Sequence, residues 1–370
     1  MLFRSGGMSL VFEKRKNIST LALFAVPAVS FLASLVLTGI VLAVFGADPF
    51  VTYQAMFQGA FGSLYGFAET LVKAIPLTLT GLGVALAFKL KFWNIGAEGQ
   101  LTLGGVAAAG MALFWGRNLP PSLLLPASIL AGCAAGALLA GLPAILKARL
   151  KVDETLVTLM LNYVAILFSE YLYYGPWRDP KGYGFPGSAL FPEAAWLPKI
   201  LGRAHFGLYF AAALAIILFI ILKRTRWGFE LTIIGNSQKA ARYQGIAVER
   251  NIVLAILLSG AISGLAGACE VTGISHRLQQ GLSLGYGFTA IIIAWMSQLN
   301  PLAIPFVAVL MAGILVGGDQ VQLMMGLPAA MGSVMQGLIL FPLLAGSLFT
   351  EFRVRRVRRE TKNACVEGEQ

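Results

Sequence analysis

The stretch LQQGLSLGYGFTAIIIAWMSQLNPLAIPFVAVLMAGILVGG, from Leu278 to Gly318, runs for 41 residues without a charge. As one helix it would measure about 60 Å, twice the hydrocarbon thickness of a bilayer, so it must hold two spans that turn near Asn300 and Pro301. Working outward, further apolar stretches lie near Leu71 to Phe88, Leu101 to Trp115, Leu123 to Ile145, Leu156 to Tyr174, Phe206 to Leu222 and Ile252 to Val271. Asn17 to Ala47 carries no charge and follows Lys14, Arg15 and Lys16. It far exceeds the apolar core of a cleaved signal peptide, and no A-x-A site follows, so it reads as a first span. A last span runs from Gly332 to Phe349, which gives ten.

Composition agrees. The chain is 57% hydrophobic and 12% charged, against about 25% charged in a soluble domain. That excludes a disordered or ordinary cytosolic protein, and the net charge of +11 is read as membrane topology and not as a nucleic-acid partner. With the N-terminus inside, 21 of the 28 lysines and arginines fall on the cytoplasmic side, the bias that the positive-inside rule demands. The expectation is therefore an all-α polytopic membrane protein with both termini cytoplasmic. Residues 1–19 form an N-terminal tail and 20–352 the transmembrane domain. A cytoplasmic loop spans 223–251 and an outside loop 175–205, and 353–370 form a basic tail. Arg353, Arg355, Arg356, Arg358 and Arg359 in that tail suit anionic lipid headgroups. Cys133, Cys269 and Cys365 suggest no disulfide framework.

Two interruptions stand out. Asn94-Ile95-Gly96-Ala97-Glu98-Gly99-Gln100 places costly polar groups between two apolar stretches. It reads either as a broken helix lining a transport pathway or as a solvated cytoplasmic turn. Gly281 to Phe288 is the second, with Gly285 and Gly287 flanking Tyr286 ahead of Phe288. Ten spans divided five and five would relate two halves by an inverted pseudo-twofold axis, with these breaks at corresponding positions. Asn94, Gly96, Glu98, Gln100, Gly285, Tyr286, Gly287 and Phe288 are the pathway candidates, joined by Asn162, deep in its span. Glu170 and Glu270 fall near outer span ends, where interfacial solvation is expected.

In the cytoplasmic loop, Gly235-Asn236-Ser237-Gln238-Lys239-Ala240-Ala241-Arg242-Tyr243-Gln244-Gly245 predicts a short helix. Asn236 or Ser237 would cap it and Gly245 would end it. Ala240 and Ala241 are small enough to enter another protein's groove; a plain connecting helix is the alternative.

Together with Gly260 to Gly267 and Thr158 to Tyr163, these two polar strings resemble the permease family of ATP-binding cassette importers for branched-chain amino acids and simple sugars. The nearer likeness is to nucleoside permeases. Ala240, Ala241 and Gly245 match the family's coupling motif, with Lys239 where a glutamate would stand. The resemblance implies a bacterial cytoplasmic (inner) membrane location and a pathway-forming subunit for a nucleoside or simple sugar. It implies coupling through Gly235, Asn236, Ala240, Ala241 and Gly245 to a cytosolic ATP-binding subunit. A second permease subunit and an extracytoplasmic solute-binding protein complete the expected partners, and no cofactor is expected. Absence of a G-x-x-x-x-G-K-[ST] loop places nucleotide chemistry on another chain. An ion-coupled secondary transporter is the alternative, though mid-span acids are scarce. An intramembrane enzyme is disfavoured by only two histidines, His205 and His276, and no H-E-x-x-H.

Overall fold

The computed structural model describes residues 20–282 and 284–325 continuously, with 3–5, 8–14, 352–358 and scattered positions from 334 to 346. It divides into two units, Met1–Phe50 with Val334–Gln370, and Val51–Ser333.

In the first unit, helix α1 (Thr20–Val44) accompanies a small sheet. Its strands are β1 (Phe3–Ser5), β2 (Met8–Lys14) and β5 (Phe352–Arg358), in the order β1-β2-β5. Both pairings are antiparallel, and Glu13 stands opposite Arg353. The all-α expectation meets its exception here, because strands from the two tails pair edge to edge. Leu10, Val11 and Phe12 are consecutive apolar residues and Val354 and Val357 stand three apart, so neither segment carries the period-2 pattern that signals a strand.

The second unit holds the helices that carry function. In chain order these are α2 (Pro49–Phe61), α3 (Leu64–Lys89), α4 (Ala97–Gly110), α5 (Pro121–Leu150) and α6 (Glu154–Tyr174). A hairpin of β3 (Lys199–Leu201) and β4 (Ala204–His205) follows. Then come α7 (Gly207–Arg224), α8 (Arg226–Asn236), α9 (Gln238–Tyr243), α10 (Val248–Glu270), α11 (Tyr286–Met296) and α12 (Ile304–Met325). Among the described residues, six helices are long and apolar enough to cross a membrane, or up to seven if α1 and α2 count as one broken span. The ten-span count is not confirmed. Two expected spans are real helices but short ones: α4 passes into π-helical turns at Met111–Trp115, and α11 has 11 residues, about 16 Å. The expected span at Gly332 to Phe349 lies largely outside the described residues.

Helix α3 is the axis of the unit. Its N-cap Ser63 accepts from the Gly66 N–H at 3.0 Å, and from Ala74 to Phe88 every side chain is buried against α7, α10, α11 and α12. A second packing centre joins α4, α5 and α10 through small residues. A Cβ built on Gly264 would sit 2.3 Å from the Gly132 carbonyl oxygen of α5. On Gly104 of α4 it would sit 2.5 Å from the Gly264 Cα. Without side chains at these points the three backbones close to van der Waals contact, the attraction that remains once hydrophobic driving force is lost in lipid.

The segment after α6 is tied to the end of α10. Ser188 N–H donates to the Leu278 carbonyl at 2.7 Å and Leu197 N–H to that of Thr272 at 3.0 Å. Trp196 stacks on His276 at 4.1 Å. His205 is fully buried beneath them, and its Nδ1 accepts from the Gly207 N–H at 3.2 Å. Burial, and then nearby His276, hold its imidazole down to about 4, so it is neutral.

Candidate functional site

The chain leaves α3 at Lys89, turns through Lys91 at φ +54°, and starts α4 at Ala97. Asn94 shapes that turn. Its Oδ1 accepts from the Gly96 N–H at 3.1 Å and from Gln100 Nε2 at 3.0 Å. Its Nδ2 donates to Gln100 Oε1 at 3.1 Å and to Ser259 Oγ of α10 at 3.1 Å. Ser259 Oγ in turn donates to the Gly83 carbonyl of α3 at 2.6 Å. From α6, Asn162 accepts from the Gly99 N–H at 2.8 Å and donates to the Ile95 carbonyl at 2.7 Å. One loop is thereby bonded to three helices, and amide side chains satisfy backbone groups that the broken helix releases.

Glu98 makes the longest connection. Its Oε1 accepts from the Gly285 N–H at 2.9 Å and its Oε2 from the Gly287 N–H at 2.5 Å. These are the first donors of α11, while Glu98 itself occupies the first turn of α4. One carboxylate therefore sits at two helix N-termini, where partial positive charge and unsatisfied N–H groups favour an anion. The backbones approach closely enough that a Cβ on Gly287 would lie 2.2 Å from the Glu98 nitrogen.

The depth of this junction follows from α11. Beyond Met296, residues Ser297 to Pro301 line a cavity of about 550 Å³ with Lys89 and Lys223, the ends of α3 and α7. Glu98 stands about 16 Å from that end, one length of α11. At the other end of α4, Phe114 packs on Trp177, centroids 5.1 Å apart. Helices α4 and α11 thus begin side by side inside the bundle and run oppositely. The solvated-turn alternative is corrected: Asn94, Glu98, Gln100 and Asn162 are each at most 1% exposed. Gly96 and Tyr286 are buried with them, whereas Phe288 is 42% exposed.

The loop between α7 and α10 is helical. Gly235 and Asn236 belong to the end of α8, and Gly235 is buried against the Lys89 carbonyl. Ser237, rather than Asn236, caps α9, its Oγ accepting from the Ala240 N–H at 3.3 Å. Ala241 is fully buried, Ala240 is exposed and Tyr243 is 93% exposed. Gly245 follows at φ +75° with open space around it, the left-handed turn that ends a helix.

Sequence reading passed over Ser259 and the Lys73–Asp319 pair and misplaced Glu270. Ser259 is an ordinary small residue by composition. Glu270, expected in interfacial solvent, instead has a buried Oε2 that accepts no hydrogen bond, a correction that follows from the outside segment folding over the end of α10. Lys73 of α3 pairs with Asp319 of α12 across 246 residues of sequence, and no local pattern announces that contact.

A family model described as branched-chain amino acid transport system / permease component matches residues 66–344. The chain is 35% identical over 359 residues to a glucose ABC transporter permease protein of Haloferax volcanii, covering 94% of each. It is 30% identical over 344 residues to a guanosine ABC transporter permease protein of Bacillus subtilis, covering 91% of this chain and 97% of that one. With a nucleoside ABC transporter permease protein of Lactococcus lactis it shares 29% over 303 residues, 79% and 83% of the two chains.

Proposed function

The chain belongs to the family of branched-chain amino acid transport system permease components, and from that premise we propose that it forms the membrane path of an importer for a nucleoside or simple sugar. It is a multi-pass permease subunit of an ATP-binding cassette transporter, which works with an ATPase and a partner permease. The relatives named for glucose, guanosine and nucleosides support the solute class. These solutes are neutral and rich in hydroxyls. A solute-binding protein on the outer side would deliver them, and the cytoplasmic membrane is the site of action. The antiparallel pairing of β2 with β5 supports placing both termini on one side, the cytoplasmic side on the count of cations.

The observation that carries the mechanism is α9, a short helix with an exposed outer face in a chain that has no phosphate-binding loop. Helix α9 hands the ATPase's movement to α8 and α10, and through Ser259 of α10 to the junction at Asn94 and Glu98. The pathway role of Asn94, Gly96, Gln100, Asn162, Gly285, Tyr286, Gly287 and Phe288 is then to fix where two half-helices meet, with Phe288 the exposed member. The purified chain is expected to hydrolyse no ATP, and to support ATP-driven uptake in vesicles only with its ATP-binding subunit. Uptake that follows an ion gradient without ATP would overturn the reading.

Gly245→Glu tests the coupling element. A side chain at φ +75° costs about 1–2 kcal/mol, and the open space around it means no further clash. The variant is expected to insert and accumulate normally while losing most ATP-driven uptake. Wild-type uptake would remove α9 and its closing glycine from the coupling assignment.

A further inference from the structure

Lys73 and Asp319 form an ion pair whose side chains are 23% and 63% exposed. Asp319 lies about 9 Å from the end of α12 and Lys73 about 14 Å from the start of α3, so both stand within membrane-crossing helices. Charges at such positions face a partner or a water-filled cavity and not lipid. The surroundings favour water. Glu69 pairs with Arg203 of the β3–β4 hairpin at 3.1 Å, with Arg203 half exposed. Glu270, with its unbonded buried oxygen, lies within electrostatic range of both Arg203 and Lys73. Tyr286, next to the Glu98 junction, lies within range of Glu270 and Asp319. Glu69 and Lys73 stand one turn apart on α3, so their ion pairs set charged groups of α3, α12 and the hairpin next to one another within the bundle.

Resting on the permease reading, we propose that the Lys73–Asp319 pair lines the solute pathway and hydrogen-bonds the hydroxyl groups of an uncharged solute. The carboxylate accepts from hydroxyls and the ammonium donates to their oxygens. The pair carries no net charge, so a neutral polyhydroxylated molecule exchanges with water there without leaving an ion unpaired.

The test uses the full transporter complex in membrane vesicles, with Cys133, Cys269 and Cys365 replaced by serine. Asp319→Cys is expected to react with a charged, membrane-impermeant methanethiosulfonate, as Tyr183→Cys on the exposed segment after α6 should, and to lose that labelling when transported nucleoside or sugar is present. Labelling only by a lipid-soluble maleimide, or only in the chain freed of its partner permease, would overturn the proposal in favour of a lipid or subunit contact. Asp319→Asn is expected to raise the KM for uptake about tenfold or more, the loss of one hydrogen bond to a charged group, with kcat changed less. Lys73→Asp combined with Asp319→Lys keeps the ion pair. It should accumulate in the membrane like the wild type but not recover the wild-type KM, and full recovery of KM would mean a purely structural pair. Wild-type complex without ATP-driven uptake would overturn the permease reading itself, whereas wild-type uptake with an unlabelled Asp319→Cys overturns this inference alone.

Discussion

Glu98→Ala is expected to abolish ATP-driven uptake and to lower the amount of folded protein, while Glu69→Ala causes a moderate loss and Glu193→Ala almost none. Alanine at 98 leaves the Gly285 and Gly287 N–H groups without these acceptors in a place closed to water. Each such loss costs about 1–3 kcal/mol, a large share of a native stability of about 5–15 kcal/mol. Glu98→Gln is the sharper variant, because it keeps the volume. A glutamine amide offers one acceptor oxygen and sets its NH2 against the other backbone donor, so it should recover only part of the loss. Glu69 has Arg203 as its partner at a partly exposed site, where water replaces much of the interaction, and Glu193 is exposed. Uptake and membrane yield of the four variants give the ranking. Wild-type behaviour of Glu98→Ala would mean that the junction does not hold α11 in place.

Gly264→Leu is expected to prevent accumulation of the folded chain altogether. The first added carbon already falls 2.3 Å from the Gly132 carbonyl oxygen and 3.0 Å from the Gly136 Cα. Both obstacles are backbone, so no rotamer relieves the clash and α5 and α10 must separate. Since α4 shares the same contact through Gly104, the separation would also pull on the loop that holds Asn94 and Glu98. The measurement is detergent-stable, monodisperse protein after membrane extraction. Leu257→Ala, on the same helix at a half-buried site, is the control that should accumulate. Normal yield for Gly264→Leu would show that the glycine contact is not the packing centre.

How much of this was legible in the sequence depended on range. Helices α5, α6 and α7 could be placed because charges and prolines bound each apolar run, and α9 because Ser237 and Gly245 are local signals for a start and a stop. The two breaks were visible as polar or glycine-rich strings. Their meeting was not, since Glu98 and Gly287 are 189 residues apart and a single string shows neither depth nor partner. The same applies to Lys73 with Asp319. Small residues hid the second packing centre: Gly104, Gly132 and Gly264 are indistinguishable by hydropathy from lipid-facing positions, and only backbone proximity reveals them. The shortness of α11 was concealed because the apolar run continues unbroken through a turn that needs no charge.

The Glu98 contact also sets an order of events during synthesis. Glu98 and its donor partner Gly285 are separated by 187 residues, which at translation rates of about 5–20 residues per second is about 10–40 s. For that interval α4 has been made and the amides that neutralise its carboxylate have not. A bare carboxylate is expensive in hydrocarbon, so α4 has reason to remain in the insertion machinery until α11 emerges. The first half of the chain is then a waiting intermediate by design of its own sequence, and a ribosome that stalls before Gly285 leaves behind a segment marked by one unclaimed charge for membrane quality control to find.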